Sequence, residues 1–223
     1  MKHKRLTILC GHYGSGKTNV AVNLAYTLRK QCVRVTIADL DIVNPYFRTK
    51  DSREDFVSRD IGLICSEYAN SNVDIPALPP EMYAITDDKD LTVVLDIGGD
   101  DRGALALGRL APSIKAEGNY EMLMVINRYR PLTPDAPSTL EVMNEIETAC
   151  GILFTGLINN SNLGTETTAE DVLASLEYAH SVEKLSGIPL VLTTVREDLY
   201  DTLKGQIPNL FALELQAKIG FSC

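Results

Sequence analysis

The segment Gly11-His12-Tyr13-Gly14-Ser15-Gly16-Lys17-Thr18 constrains this chain more than any other. It meets the pattern G-x-x-x-x-G-K-[ST] at every fixed position. Ahead of it, Leu6-Thr7-Ile8-Leu9-Cys10 reads as a short buried strand, and behind it Val20, Ala21, Leu24, Ala25 and Leu28 recur at helical spacing. A glycine-rich turn from strand to helix lets backbone N–H groups converge on phosphate oxygens, and the positive helix end favours the same anion. Lys17 is then expected on the β- and γ-phosphates and the Thr18 hydroxyl on Mg²⁺. The stretch from Gly11 through Asn19 is the candidate nucleotide cradle, with Lys17 as a candidate catalytic residue.

The rest of the chain alternates strands with helices. Val33 to Ala38 is β-branched and alternating, and it leads into Asp39-Leu40-Asp41 and Ile42 to Arg48. Residues 49–60 read as a surface helix or loop and Ile61–Cys65 as a strand. The proline-rich stretch from Asn70 to Pro80 reads as an extended loop, with a short helix from Glu81 to Thr86. Leu91 to Asp96 is the clearest buried strand, followed by Gly98-Gly99 and an Ala- and Leu-rich helix ending near Ala111. Met122–Ile126 and Ile152–Ile158 read as strands, separated by a helix opened by the capping pattern Ser138-Thr139-Leu140-Glu141 and closed by Gly151. A helix beginning at Thr168–Asp171, a strand over Pro189–Thr193 and a short helix from Arg196 or Glu197 follow. This alternation predicts a mostly parallel sheet covered on both faces, with ligands beyond the carboxyl ends of its strands.

The polar clusters all fall at those ends. Asp96 follows a buried strand, where a carboxylate serves Mg²⁺, and Asp96-Ile97-Gly98-Gly99 fits D-x-x-G, in which the Gly99 amide senses the γ-phosphate. Asp41 is placed to orient the attacking water, with Asp39 nearer the strand and the metal. Thr18, Asp39 and Asp96 are thus the expected metal residues, and Lys17, Asp39 and Asp41 the expected catalytic ones. Neither Asn127-Arg128-Tyr129-Arg130 nor Asn159-Asn160-Ser161-Asn162 completes the guanine-reading pattern N-K-x-D. Asn159 can serve the amino group and N7 of adenine, the alternative being an asparagine-rich turn; ATP is therefore expected over GTP.

A net charge of −9 argues against broad nucleic-acid binding, because neutralising phosphates needs a basic surface. Five scattered cysteines without a C-x-x-C pair fit reduced thiols and a cytoplasmic setting. No apolar run is long enough for a membrane span. The basic start, Met1 to Arg5, reads as a solvated edge ahead of the first strand, and residues 1–223 read as a single domain.

Three motifs in fixed order, GHYGSGKT, ADLDIVNP and VVLDIGG, resemble the MinD/ParA family of P-loop ATPases, grouped with CobQ/CobB-type domains, arsenite-pump ATPases and nickel-insertion ATPases. The resemblance implies a three-layer α/β/α fold with a mostly parallel twisted sheet of about seven strands. It also implies ATP with Mg²⁺, a protein partner under nucleotide control, and a possible homodimer. Its roles fall on Lys17 and Thr18 for phosphates and metal, Asp41 for the hydrolytic water, Asp96 for the metal and Asn159 for adenine. The segment at Val195 and Arg196 would close over the base. The family's loop carries a signature lysine in K-G-G-x-G-K-[ST] that reaches a partner's phosphates; here that position is His12, followed by Tyr13, so activation across a dimer in that manner is not expected. A metallochaperone-type GTPase and a small-molecule ATP enzyme of the dethiobiotin synthetase type are the competing readings, the latter with a substrate pocket at the Asn70–Pro80 loop.

Overall fold

Eight short strands, every one paired in parallel with its neighbours, form a single sheet in the order β3-β2-β4-β1-β5-β6-β7-β8. The computed structural model describes residues 3–32, 34–40, 53–65, 80–99 and 101–215. The strands are β1 (Leu6–Cys10), β2 (Val35–Leu40), β3 (Gly62–Cys65), β4 (Thr92–Ile97), β5 (Tyr120–Ile126), β6 (Gly156–Asn159), β7 (Leu190–Arg196) and β8 (Leu210–Leu213). Between them run α1 (Lys17–Arg29), α2 (Arg53–Ser58), α3 (Pro80–Asp87), α4 (Asp101–Glu117), α5 (Ala136–Cys150), α6 (Ala169–Ser186) and α7 (Glu197–Leu203).

Alternation along the strands divides the core in two. Leu6, Ile8 and Cys10 of β1 point toward α3–α6, where Met82, Leu107, Met143 and Ala179 meet Leu95 and Met124. Leu9, Ile37, Val94 and Val125 face the other way, onto Val20, Ala21, Leu24 and Leu28 of α1 and Phe56 of α2. Fully buried Phe56 anchors the six-residue α2, meeting Tyr26 edge-on with ring centroids 6.0 Å apart. Burying such a ring contributes about 3 kcal/mol, enough to hold a helix too short to persist alone.

Several sequence expectations shift. β8 is an eighth strand, missed because its four residues lie in an apolar tail without periodic signal. The helix α4 runs six residues past Ala111 with Pro112 inside it. Asp135, not Ser138, caps α5: its side chain accepts from the Ser138 N–H at 2.9 Å, so the Ser-x-x-Glu pattern lies inside the helix, next to Pro137. Gly151 and Gly187 close α5 and α6 in the left-handed conformation.

The largest correction concerns Arg5. It is 7% exposed, not a solvated edge: its Nη1 donates to the carbonyls of Ile85, Asp88 and Leu91 at 2.9–3.0 Å. Its guanidinium also forms a two-pronged ion pair with Glu117 at the end of α4. The planar fork of arginine suits that carboxylate, and the arrangement ties α3, α4 and the start of β1 at the edge opposite the candidate site.

β1 lies between β4 and β5, so the chain turns to one side of it and later to the other. In a parallel sheet the crevice for a ligand opens at such a reversal, beyond the carboxyl strand ends. The loop following Cys10 sits there.

Candidate functional site

Residues 11–16 join β1 to α1. Gly16 occupies the N-cap position with φ 88°, and no side chain caps the helix, leaving the first backbone N–H groups of α1 to an anion. The loop is braced internally, with the Ser15 N–H on the His12 carbonyl at 3.1 Å. Lys17, 5% exposed, curls back over it, its Nζ 3.2 Å from the His12 carbonyl. His12 Nδ1 lies 3.0 Å from the Tyr13 carbonyl, and the Tyr13 ring is half exposed.

The acids converge beneath the loop. Asp39 and Asp96 are register partners on adjacent β2 and β4, so their side chains leave the same sheet face, the one covered by α1. Both are buried. Thr18 Oγ1, in the first turn of α1, donates to Asp96 Oδ2 at 2.7 Å. A hydroxyl and two carboxylates are hard oxygen donors of the kind Mg²⁺ takes. Among the described residues no three His, Cys, Asp or Glu side chains group as a metal cage.

Gly99 packs directly on the loop. A Cβ there would stand 2.5 Å from the Tyr13 nitrogen and 2.9 Å from the His12 carbonyl carbon, both backbone, so no larger residue fits without moving the loop. The D-x-x-G segment and the phosphate loop are therefore in backbone contact.

Beside the loop opens a cavity of about 300 Å³, bounded by Gly14, Gly16 and Asn19 and by residues from the ends of β5, β6, β7 and β8, including Arg130, Asn160, Asn162, Val195 and Arg196. Its volume is at the lower end of ligand pockets. Among the described residues that line it there is no Asp or Glu. Arg196 stands at its rim, held by Asp198 and donating to the Thr165 carbonyl at 2.8 Å.

Asn159 is not at this cavity. Its side chain is fully buried, donating to Ser175 Oγ at 2.8 Å and accepting from the Ser161 N–H at 3.2 Å. The last residue of β6 points under α6, and alternation gives the site to its successor. Asn160 Nδ2 donates to the Ser15 carbonyl at 2.6 Å, and its Oδ1 accepts from Thr194 Oγ1 at 2.6 Å. Sequence reasoning named Asn159, which the structure places away from the cavity that Asn160 lines; the strand register, which separates them, is not written in the residues themselves. It also passed over Arg130, for which no motif exists.

The other expected residues come together: Gly11 to Asn19, Asp39, Asp96, Gly99 and Arg196 share one end of the sheet. Asp41, the segment through Arg48 and the loop 70–79 lie outside the described residues. Cys10, directly before the loop, is fully buried, and burial pushes its thiol well above the ordinary value, so it supplies no thiolate nucleophile at neutral pH. Among the described residues, Cys10, Cys32 and Cys150 are free thiols. No helix among the described residues is long and apolar enough to cross a membrane.

The profile of the CobQ/CobB/MinD/ParA nucleotide binding domain matches residues 6–212. No curated protein matches the chain. Among solved structures, FlhF complexed with GTP/Mg²⁺ is similar with a TM-score of 0.55 and 14% identity, over 86% of this chain and 66% of that one. The cell division protein FtsY of Thermotoga maritima gives 0.54 and 18%, over 87% and 63%. The signal recognition particle receptor FtsY of Elizabethkingia anophelis in complex with GDP gives 0.53 and 14%, over 98% and 62%. These likenesses establish the fold, and this chain spans about three-fifths of the length of the FtsY structures.

Proposed function

We propose, since the chain belongs to the CobQ/CobB/MinD/ParA nucleotide-binding family, that it is a Mg²⁺-dependent ATPase acting as a nucleotide-controlled switch on a protein partner. The observation that carries this reading is the backbone contact of Gly99 with Tyr13 and His12. Whatever occupies the γ-phosphate position at the loop cannot come or go without acting on the turn between β4 and α4. A change there moves the start of a 17-residue helix, which is how a local phosphate contact becomes a surface signal.

Phosphoryl transfer needs little beyond positioning and charge neutralisation. The N–H groups of the loop and of the first turn of α1 hold the phosphates, and Lys17 swings from the His12 carbonyl onto their oxygens. Thr18 and Asp96, with Asp39 beside them, would hold Mg²⁺, which when bound neutralises charge between the terminal phosphates. Asp41 is assigned to the attacking water from its place after β2 and from the family resemblance, with Asp39 nearer the metal.

The described lining of the cavity holds no carboxylate to accept from the N1–H and 2-amino group of guanine, which supports the adenine reading. Asn160 and Asn162 line the cavity wall with their amides already engaged, on the Ser15 carbonyl and Thr194 and on the Asn160 carbonyl and Gly164 N–H respectively. A GTP-using reading draws on the FlhF and FtsY structures that hold GTP and GDP. With histidine at position 12 in place of a cross-dimer lysine, a homodimer would serve partner binding and not supply charge to its neighbour's phosphates.

The test is calorimetric titration of ATP and GTP with Mg²⁺, together with phosphate release, on wild type and Lys17→Ala. The expected result is tighter ATP than GTP binding, slow turnover, and loss of both in the variant. Tighter GTP binding would install the GTPase reading, and unchanged affinity in Lys17→Ala would remove the site.

A further inference from the structure

Of the three arginines at the ends of β5 and β7, Arg130 and Arg196 line the cavity, and Arg128 and Arg196 are committed to protein acceptors. Arg128 Nη1 donates to the Ala174 carbonyl at 2.6 Å, and Arg196 is held by Asp198 and by the carbonyls of Gly164 and Thr165. Arg130 differs. Its Nε is buried and has no hydrogen-bond partner among the described residues.

The backbone places it deliberately. Asn127 shapes the loop after β5, its carbonyl accepting from the Arg130 N–H at 3.2 Å and from Thr133 Oγ1 at 2.9 Å, its Oδ1 from the Tyr129 N–H at 3.0 Å. Asn127 itself is fully buried, so the turn is fixed from below. From this turn the Arg130 side chain lies along the phosphate loop: Nε, Cδ and Cζ approach to 3.4–3.7 Å of the point where a side chain on Gly14 would start. It lines the cavity together with Gly14, Gly16 and Asn19. A guanidinium keeps its charge at any relevant pH, and a buried N–H without an acceptor is costly. Fixed against a loop whose own N–H groups await an anion, it wants the same ligand they do.

We infer that Arg130 is a second phosphate-binding cation of the nucleotide site, supplied in cis from the loop after β5. The inference rests on the nucleotide-binding reading above. The guanidinium makes charge-assisted hydrogen bonds to the phosphate chain where it passes Gly14, so the site carries two cations from one chain, Lys17 and Arg130. Gly14, at φ 77°, holds a backbone conformation that larger residues rarely adopt, and the guanidinium lies at van der Waals distance from it.

The experiment is titration of ATP with Mg²⁺ into wild type, Arg130→Gln and Arg130→Lys, with thermal unfolding of each nucleotide-free protein. Expected are a roughly ten- to hundredfold loss of affinity in Arg130→Gln, recovery of most of it in Arg130→Lys, and melting no lower than wild type in either. Wild-type affinity in Arg130→Gln overturns the inference. So does lowered melting in both variants with no recovery of affinity by lysine, which would make Arg130 a packing residue. Wild type that binds neither ATP nor GTP would instead remove the nucleotide site as a whole, a result separable from an unaffected Arg130→Gln.

Discussion

Thr18 and Asp96, 78 positions apart in sequence, are joined by a buried 2.7 Å hydrogen bond from Thr18 Oγ1 to Asp96 Oδ2. Parallel pairing of β1 with β4 sets Leu9 beside Asp96, and the loop then returns the chain over the strand end so that the first turn of α1 meets the carboxylate. Two hard oxygens, of the kind Mg²⁺ takes, are thus brought together at the strand end. Thr18→Val, which keeps the shape and removes the hydroxyl, is expected to make nucleotide affinity nearly indifferent to Mg²⁺. Even outer-shell partners are worth about ten- to hundredfold in metal affinity, so a lost ligand costs at least that. Titrations with Mg²⁺ and with a chelator, compared between wild type and variant, check it.

Gly99→Ala tests the coupling between the D-x-x-G turn and the loop. The new methyl would sit 2.5 Å from the Tyr13 nitrogen, so either the loop or the β4–α4 turn must move. Overpacking of this kind costs roughly 1–3 kcal/mol. Nucleotide affinity should fall along with the melting temperature, because the atoms the methyl meets belong to the phosphate loop. Equal affinity with lowered melting would show that the turn yields and the loop does not.

How far the site could be read from sequence depended on whether local spacing or tertiary register decided each residue. Gly11 to Thr18 and Asp96 were legible because their chemistry is bound to one turn and one strand end. Asn160 was not, since choosing it over Asn159 requires knowing which way β6 faces at its last residue. Arg5 was misread for a related reason: a short basic run looks solvated until Ile85, Asp88, Leu91 and Glu117 arrive from distant parts of the chain. The strand β8 pairs with β7 through four residues whose composition does not distinguish them from a tail.

Glu117 sets a pH dependence. The Arg5 guanidinium, and then Lys89, hold its carboxyl below the ordinary value against the opposing effect of burial. A carboxylate lowered in the folded state adds stability above its unfolded pKa of about 4.3, and that contribution disappears as pH falls through the lowered folded value. Urea unfolding between pH 7 and 3 should show this loss, and Glu117→Gln should flatten it. At pH 7, Arg5→Ala should cost roughly 3–5 kcal/mol, since it leaves a buried carboxylate with Lys89 as its remaining cation.

Asn159→Ala and Asn160→Ala separate the two neighbours. Removing the Asn160 side chain takes the donor from the Ser15 carbonyl and the acceptor from Thr194 Oγ1, both buried, at roughly 1–3 kcal/mol of stability. Because the Ser15 carbonyl belongs to the phosphate loop, the loop loses its anchor to β6 as well, and ATP affinity should drop about tenfold or more in parallel. Asn159→Ala breaks bonds to Ser175 and Ser161 under α6, so it should lower the melting temperature comparably and leave affinity close to wild type. Thermal unfolding and ATP titration on the two variants decide it: an affinity loss confined to Asn159→Ala would support base reading by Asn159, whereas one confined to Asn160→Ala is what loss of the loop's anchor predicts.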